Sequence, residues 1–288
     1  MEPTEQNQTI KLPEVTSEKL PSLREEVARL REQPNSEDQA LRLIRHAREG
    51  AFNLGEDEHV VNLYWEEYLV GKHIIMKARN KYGLSALPSK SKDMLRGYRL
   101  MKASANAGQR YIEERSIGGA IEARSHRFLG DLALVEGGFI QGRYTQAVEH
   151  FSEGARLFSQ MPGWEDRVNV LEMKDFLAEA QILAGDVAGG IATAQDNFSF
   201  FEEEDGRKLK ESDYYTWAVW KSGCAIKLWQ ALLRARAPLG GGIREDLVMM
   251  LENADSILSV PEDQTTWGDR NFEFRKNEIA QIRTQTEL

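Results

Sequence analysis

Cysteine occurs once in the 288 residues, at Cys224. A single cysteine closes no intrachain disulfide. Its setting, WAVWKSGCAIKLW, is apolar, so it reads as a small buried hydrophobe. A catalytic thiol would want a histidine partner, and none of the five histidines is near it in sequence. Long apolar runs are also missing. None approaches the roughly 20 residues that a membrane-spanning helix needs, so no membrane partner is expected. The opening MEPTEQNQTIKLPEV has neither the basic start nor the apolar core of a signal peptide, and a cytoplasmic location is expected.

Signatures of chemistry are equally scarce. His46, His59, His73, His126 and His150 form no H-x-x-x-H pair and no Cys/His cluster, so no metal site is expected. There is no G-x-x-x-x-G-K-[ST] and no G-x-S-x-G. Gly137–Gly138 and Gly240–Gly241–Gly242 follow helical patterns, not strands, so they lack the context of a dinucleotide site. The carboxylate pairs Glu66–Glu67 and Glu202–Glu204 read as solvated helix faces or connectors. No catalytic residue, cofactor or metal is therefore expected.

The net charge of −9 argues against nucleic acid as the main partner. The charge is uneven. Residues 81–130 carry ten lysines and arginines against four acids, whereas 131–212 carry seven against sixteen. Such polarity steers partners and favours head-to-tail contact. Hydrophobic content of 41% and charged content of 29% describe an ordinary soluble, folded chain.

What is present is helical periodicity. Residues 1–15 read as a flexible tail, and the rest, 16–288, as one helical domain. Leu23, Val27 and Leu30 share one side of a short helix over 17–33, which Pro34 ends. Ser36 reads as the N-cap of a helix to about residue 53, with Ala40, Leu43, Ile44, Ala47 and Ala51 inward. A turn at Leu54–Gly55 leads to a helix over 57–79. Residues 80–90 form a loop, and a helix follows over 91–114. Gly118–Gly119 precedes a helix apolar on most sides (Phe128, Leu129, Leu132, Ala133, Val135, Phe139), as expected of one sandwiched between neighbours.

After a tight turn at Gln141–Gly142–Arg143, the residues Tyr144, Ala147, Val148, Phe151, Ala155 and Phe158 make one stripe of the next helix. Helices over about 168–184 and 187–198 follow, with a turn at Ala184–Gly185–Asp186. FEEEDGRKLK (201–210) reads as a charged connector, 211–236 as an aromatic-rich helix and 243–259 as another, ended by Pro261. The segment 267–284, with Trp267, Phe272, Phe274, Ile279 and Ile282, reads as a capping helix. No alternating pattern marks a strand.

Gly142-x-Tyr144-x-x-Ala147-x-x-x-Phe151-x-x-Gly154 resembles the turn and second helix of a tetratricopeptide repeat, with Pro162 following about three residues late. Leu134 stands where that family has its Leu, and Val135 replaces its usual Gly. The pair 37–79 is similar, since Gly55 and Tyr64 lie nine residues apart, as Gly142 and Phe151 do. Gly142 to Gly185 spans 43 residues, against about 34 in the strict repeat, so longer helices or loops are implied. The resemblance implies an all-α superhelical solenoid of about four to five antiparallel hairpins. It implies a non-enzymatic scaffold that holds a protein or peptide partner in a concave groove lined by the first helix of each hairpin.

The candidate contact residues are basic rows and an aromatic pair. Arg42, Arg45 and Arg48 recur at every third position, as do Lys92, Arg96, Arg99 and Lys102 at every third or fourth, and Arg124 with Arg127. Arginines so placed suit bidentate contacts to carboxylates or phosphates. The alternative is a solvated face paired with nearby acids. Some tetratricopeptide domains hold a partner's C-terminal carboxylate in such a clamp. The family's fixed Lys, Asn and Arg pattern is not evident here, so its ligand does not carry over. Tyr214 and Trp217 line either a pocket or the core. Two other readings stay open. One is a regulator that responds to a small ligand or peptide. The other is an enzyme subunit with His126, His150 and acids around one deep pocket. The oligomeric state is open.

Overall fold

The computed structural model describes residues 12–33, 35–82, 87–259 and 269–287. Among them every regular element is a helix. The helices, read from the sequence as one domain from residue 16 onward, pack as two compact units. The first takes in the described residues of Met1–Tyr82 and Pro88–Arg115, the second those of Gly83–Leu87 and Ser116–Leu288.

In the first unit a 3-10 turn, Ser17–Lys19, leads into α1 (Leu20–Glu32), followed by α2 (Glu37–Leu54), α3 (Asp57–Tyr82), a second 3-10 turn at Pro88–Lys90, and α4 (Lys92–Arg115). Leu23, Val27 and Leu30 of α1 are buried, and so is the whole expected inward set of α2. The α2–α3 turn works as its sequence requires. Gly55 takes φ 73°, a left-handed conformation that a Cβ disfavours, and Glu56 donates back to the Ala51 carbonyl at 3.0 Å. Ser36 stands before α2, but its side chain makes no capping bond. Its backbone, at φ −104° and ψ 7°, is outside the extended conformation an N-cap normally adopts.

Helix α3 is the centre of this unit, with α2 and α4 packed on it and α1 on α2 and α3. Its two cross-pairings fix direction. Arg48 of α2 meets Glu67, and Glu37 meets Lys77. Tyr111 of α4 meets Asp57, and Gly97 meets Gly71. In both pairs one helix number falls as the other rises, so α2 and α4 each run antiparallel to α3 and parallel to each other. Of the tail expected over 1–15, residues 12–15 are described and lie against α2. His46 Nε2 stands 2.7 Å from the Pro13 carbonyl oxygen, and Val15 fills the space a side chain on Gly50 would take.

The second unit contains α5 (Ala120–Gly137), α6 (Arg143–Ser159), α7 (Trp164–Arg167), α8 (Asn169–Ala184), α9 (Val187–Phe200), α10 (Glu204–Ser212), α11 (Tyr214–Ala235), α12 (Gly241–Ile257) and α13 (Asp269–Thr286). The Gly142 and Gly185 turns have φ 80° and 103°. Phe151, fully buried on α6, stacks on Phe176 of α8 at 5.3 Å and presses against Gly130 of α5. Phe128, Leu132, Ala133 and Val135 of α5 are buried, but Phe139 lies beyond the helix end and is exposed.

The charged connector 201–210 is largely helix instead. Glu204 and Asp205 occupy the first turn of α10, where acids are favoured, and Phe201, Gly206 and Leu209 are buried beneath its polar face. Pro34, Pro261 and Trp267 lie outside the described residues. Among the described residues no helix is long and apolar enough to cross a membrane.

Candidate functional site, a basic groove between α2 and α4

Helices α2 and α4 lie on the same side of α3 and leave a groove of about 820 Å³ between them. Asp38, Leu41, Arg42 and Arg45 line it from α2. Lys92, Leu95, Arg96, Arg99, Leu100 and Ala103 line it from α4. The floor is aliphatic, and five cations face a single carboxylate around it. Arg96 is paired with that carboxylate, Asp38, across the groove. Arg42, Lys92 and Arg99 have no ion-pair partner among the described residues. Their charge is thus free to act on a third molecule.

The groove depends on how closely α3 and α4 approach. At their crossing Gly71 faces Gly97, and a Cβ on either would sit 2.6 Å from the other's carbonyl oxygen. Only paired glycines allow that approach. It brings the start of α4 level with the start of α2, so that residue 96 meets residue 38.

The arginine row of α2 does not act as one stripe. Each step of three residues falls about 60° short of a full turn, so residues 42 and 48 point about 120° apart. Arg42 therefore faces the groove. Arg48 turns to α3, where it binds Glu67 at 2.5 Å and lies over the Tyr64 ring at 4.2 Å. Arg45 stands between them, with one 3.3 Å contact to Glu67 and its side chain 61% exposed. The same drift takes Lys102 away from Lys92, Arg96 and Arg99, to the Tyr98 hydroxyl at 3.2 Å.

The expectation that Glu66 and Glu67 lie on a solvated face is corrected by these contacts. Glu67 is buried and shared by Arg45 and Arg48, and Glu66 binds Arg31 of α1 at 2.5 Å. They balance inward-turned arginines that burial would otherwise leave without a counter-charge. Glu202 is exposed as expected and pairs with Lys221.

The other expected contact residues do not join the groove. Arg127 of α5 is held by Glu172 at 3.1 Å and Asp131 at 3.7 Å, and it lies over Phe128 and Phe176. It ties α5 to α8. Arg124 stands on the same helix, half-buried. Trp217 is buried and donates from Nε1 to the Phe201 carbonyl at 3.3 Å, while Tyr214 donates to the Ile257 carbonyl at 3.2 Å. Both belong to the core of the second unit. The sequence does not mark Asp38, Leu41, Leu95, Leu100 or Ala103 as contact residues. Leu41 and Leu95 each immediately precede a groove arginine, and that adjacency was the available signal.

Two polar clusters lie in the second unit. His126 and His150 face each other, with Nδ1 atoms 3.3 Å apart. Burial lowers both pKa values. For His126 the carboxylates of Glu153 and Glu122 oppose that shift, and Arg156 adds to it; for His150, His126 and Arg143 add to it. Among the described residues no three or more His, Cys, Asp or Glu side chains are grouped to hold a metal. Asp175 is fully buried, accepts from Asn197 Nδ2 at 2.8 Å and lies 3.4 Å from Lys227 Nζ. Burial pushes its pKa up to about 6 against the pull of Lys227. Cys224 adjoins it, buried as expected, and burial first and Asp175 second hold its thiol protonated.

Compared with known proteins, the chain matches no family model, and no curated protein matches it either.

Proposed function

We propose that this chain is a non-enzymatic interaction protein built of tetratricopeptide-like hairpins, and that its α2–α4 groove holds an acidic segment of a protein partner. The observation that carries the reading is the convergence of Arg42, Arg45, Lys92, Arg96 and Arg99, from helices far apart in sequence, on one groove. Three of these cations have no ion-pair partner among the described residues, and guanidinium groups suit carboxylates. The left-handed glycines at 55, 142 and 185, each joining two helices, support the hairpin reading. So does the wall of the groove supplied by α2, which the resemblance makes the first helix of the pair 37–79. The superhelical stacking of the hairpins is part of the same proposal.

The test is fluorescence anisotropy with a labelled Asp/Glu-rich peptide and its Asn/Gln counterpart. Wild type is compared with R96E/R99E from about 50 mM to about 500 mM salt. Tight binding of the acidic peptide alone, weakened at least about tenfold by the charge reversal and by salt, is the expected result. Equal affinity for the neutral peptide, or a variant that binds like wild type, overturns the proposal. A second reading, a regulator responsive to a small ligand, is favoured by a separate cavity on the other side of Arg42 and Arg45.

A further inference from the structure

Beside the basic groove, α1, α2 and the segment before them enclose a second cavity of about 480 Å³. Its size is within the range of small-molecule sites. Leu12, Pro13, Leu23, Leu30 and Leu43 supply an apolar lining, and polar groups gather at the rim. The walls are fixed. His46 Nε2 donates to the Pro13 carbonyl at 2.7 Å, since a carbonyl only accepts, and Val15 packs over Gly50. Residues 12–15 are thereby fastened along α2 as one side of the cavity.

The charges at the rim have a sign. Arg42 has no ion-pair partner among the described residues. Arg45 keeps only its 3.3 Å contact to Glu67, whose other oxygen is taken by Arg48 at 2.5 Å. Of the two lining carboxylates, Glu26 is held by both Arg29 nitrogens at 2.5 and 2.7 Å, which leaves Glu49 alone against two guanidiniums. An aliphatic floor beneath a cationic rim suits a molecule with an apolar chain and an anionic head.

We propose that this cavity is a binding site for an aliphatic carboxylate, its chain among Leu12, Leu23, Leu30 and Leu43 and its head group on Arg42 and Arg45. The leucines gain by losing contact with water, and the guanidiniums accept the carboxylate without a buried charge being left alone. Arg42 and Arg45 also line the α2–α4 groove. An occupied cavity therefore engages two of the groove's five cations and weakens its hold on an acidic peptide. That would make the chain a sensor of the carboxylate. The site itself stands whether or not the groove binds a peptide.

Isothermal titration calorimetry on the full chain tests it, with octanoate, 1-octanol and butyrate below any aggregation limit. Octanoate binds, and octanol and butyrate bind at least about tenfold more weakly, because each lacks one half of the match. R42Q/R45Q, both at exposed positions, weakens octanoate at least about tenfold and leaves octanol unchanged. L12D weakens octanoate through the chain. R96E/R99E, which alters only the groove, leaves octanoate affinity as in wild type and so separates this site from the peptide proposal. Octanol binding as tightly as octanoate would show simple adsorption to leucines and overturn the proposal. Unchanged octanoate affinity in R42Q/R45Q, or no octanoate binding at all, overturns it as well.

Discussion

Gly71 and Gly97 touch backbone to backbone where α3 crosses α4, each leaving 2.6 Å between a would-be Cβ and the other's carbonyl oxygen. Alanine in place of a mid-helix glycine ordinarily stabilises by up to about 1 kcal/mol. Here the sign reverses. Gly71→Ala or Gly97→Ala forces the helices apart and costs about 1–3 kcal/mol, as overpacking does. Urea denaturation measures it. The same variants move α4 away from α2, so they also weaken any anion held in the groove.

Arg42 and Arg48 lie on one helix and differ in burial and partners. Arg48 neutralises buried Glu67 and covers Tyr64, so Arg48→Ala costs about 1–3 kcal/mol, with Arg45 retaining part of the pairing. Arg42→Ala stays within about 0.5 kcal/mol, as for an exposed side chain with no ion pair. Urea midpoints of the two variants separate these roles. Equal midpoints would mean that Arg48 does not hold Glu67.

Asp175 makes the second unit pH-sensitive in a definite direction. Its folded pKa, about 6, lies above the ordinary 3.8, so the folded chain binds this proton more tightly than the unfolded one. The contribution is full below about pH 3.8 and is lost as pH rises through about 6, by at most about 3 kcal/mol. Asp175→Asn removes the titration. The difference between wild-type and variant stability profiles should therefore fall across this window, and a flat difference would mean that Asp175 titrates normally.

His126 and His150 act in the opposite sense. Burial lowers both pKa values, so stability is full above the ordinary 6.5 and declines as pH falls through the folded values. Only one of two nitrogens 3.3 Å apart can carry the shared proton, and a second proton sets N–H against N–H. H126Q/H150Q should lose less stability than wild type as the solution is acidified below pH 6.5. Urea midpoints over that range decide, and parallel curves would remove the pair as a source of acid sensitivity.

Much of the helical layout was legible because its causes are local. Glycines at 55, 142 and 185 mark turns that need a left-handed residue, and the apolar spacing of α2 and α6 names their buried faces. The connector at 201–210 misleads because its charges dominate, although Gly206 and Leu209 carry the buried side of α10 and Phe201 is buried just before it. Ser36 had a capping residue's identity but not the backbone conformation.

The sequence by itself determined that the chain is helical, where most helices turn, and which residue types could meet an anion. It also placed Arg42, Arg45, Lys92, Arg96 and Arg99 among the candidates, since helical spacing is a short-range property. The tertiary structure decided which of those cations act together. A glycine crossing sets α4 beside α2, the rotation of each helix turns Arg48 inward and leaves Arg42 outward, and buried Glu67 takes the arginines that face it. Arg127 looks the same in sequence as the groove arginines, and Tyr214 and Trp217 offer aromatic contacts there too, but packing commits all three to partners within the second unit. Charge and aromaticity are carried by a residue, whereas its neighbours are assigned only when distant helices close on one another.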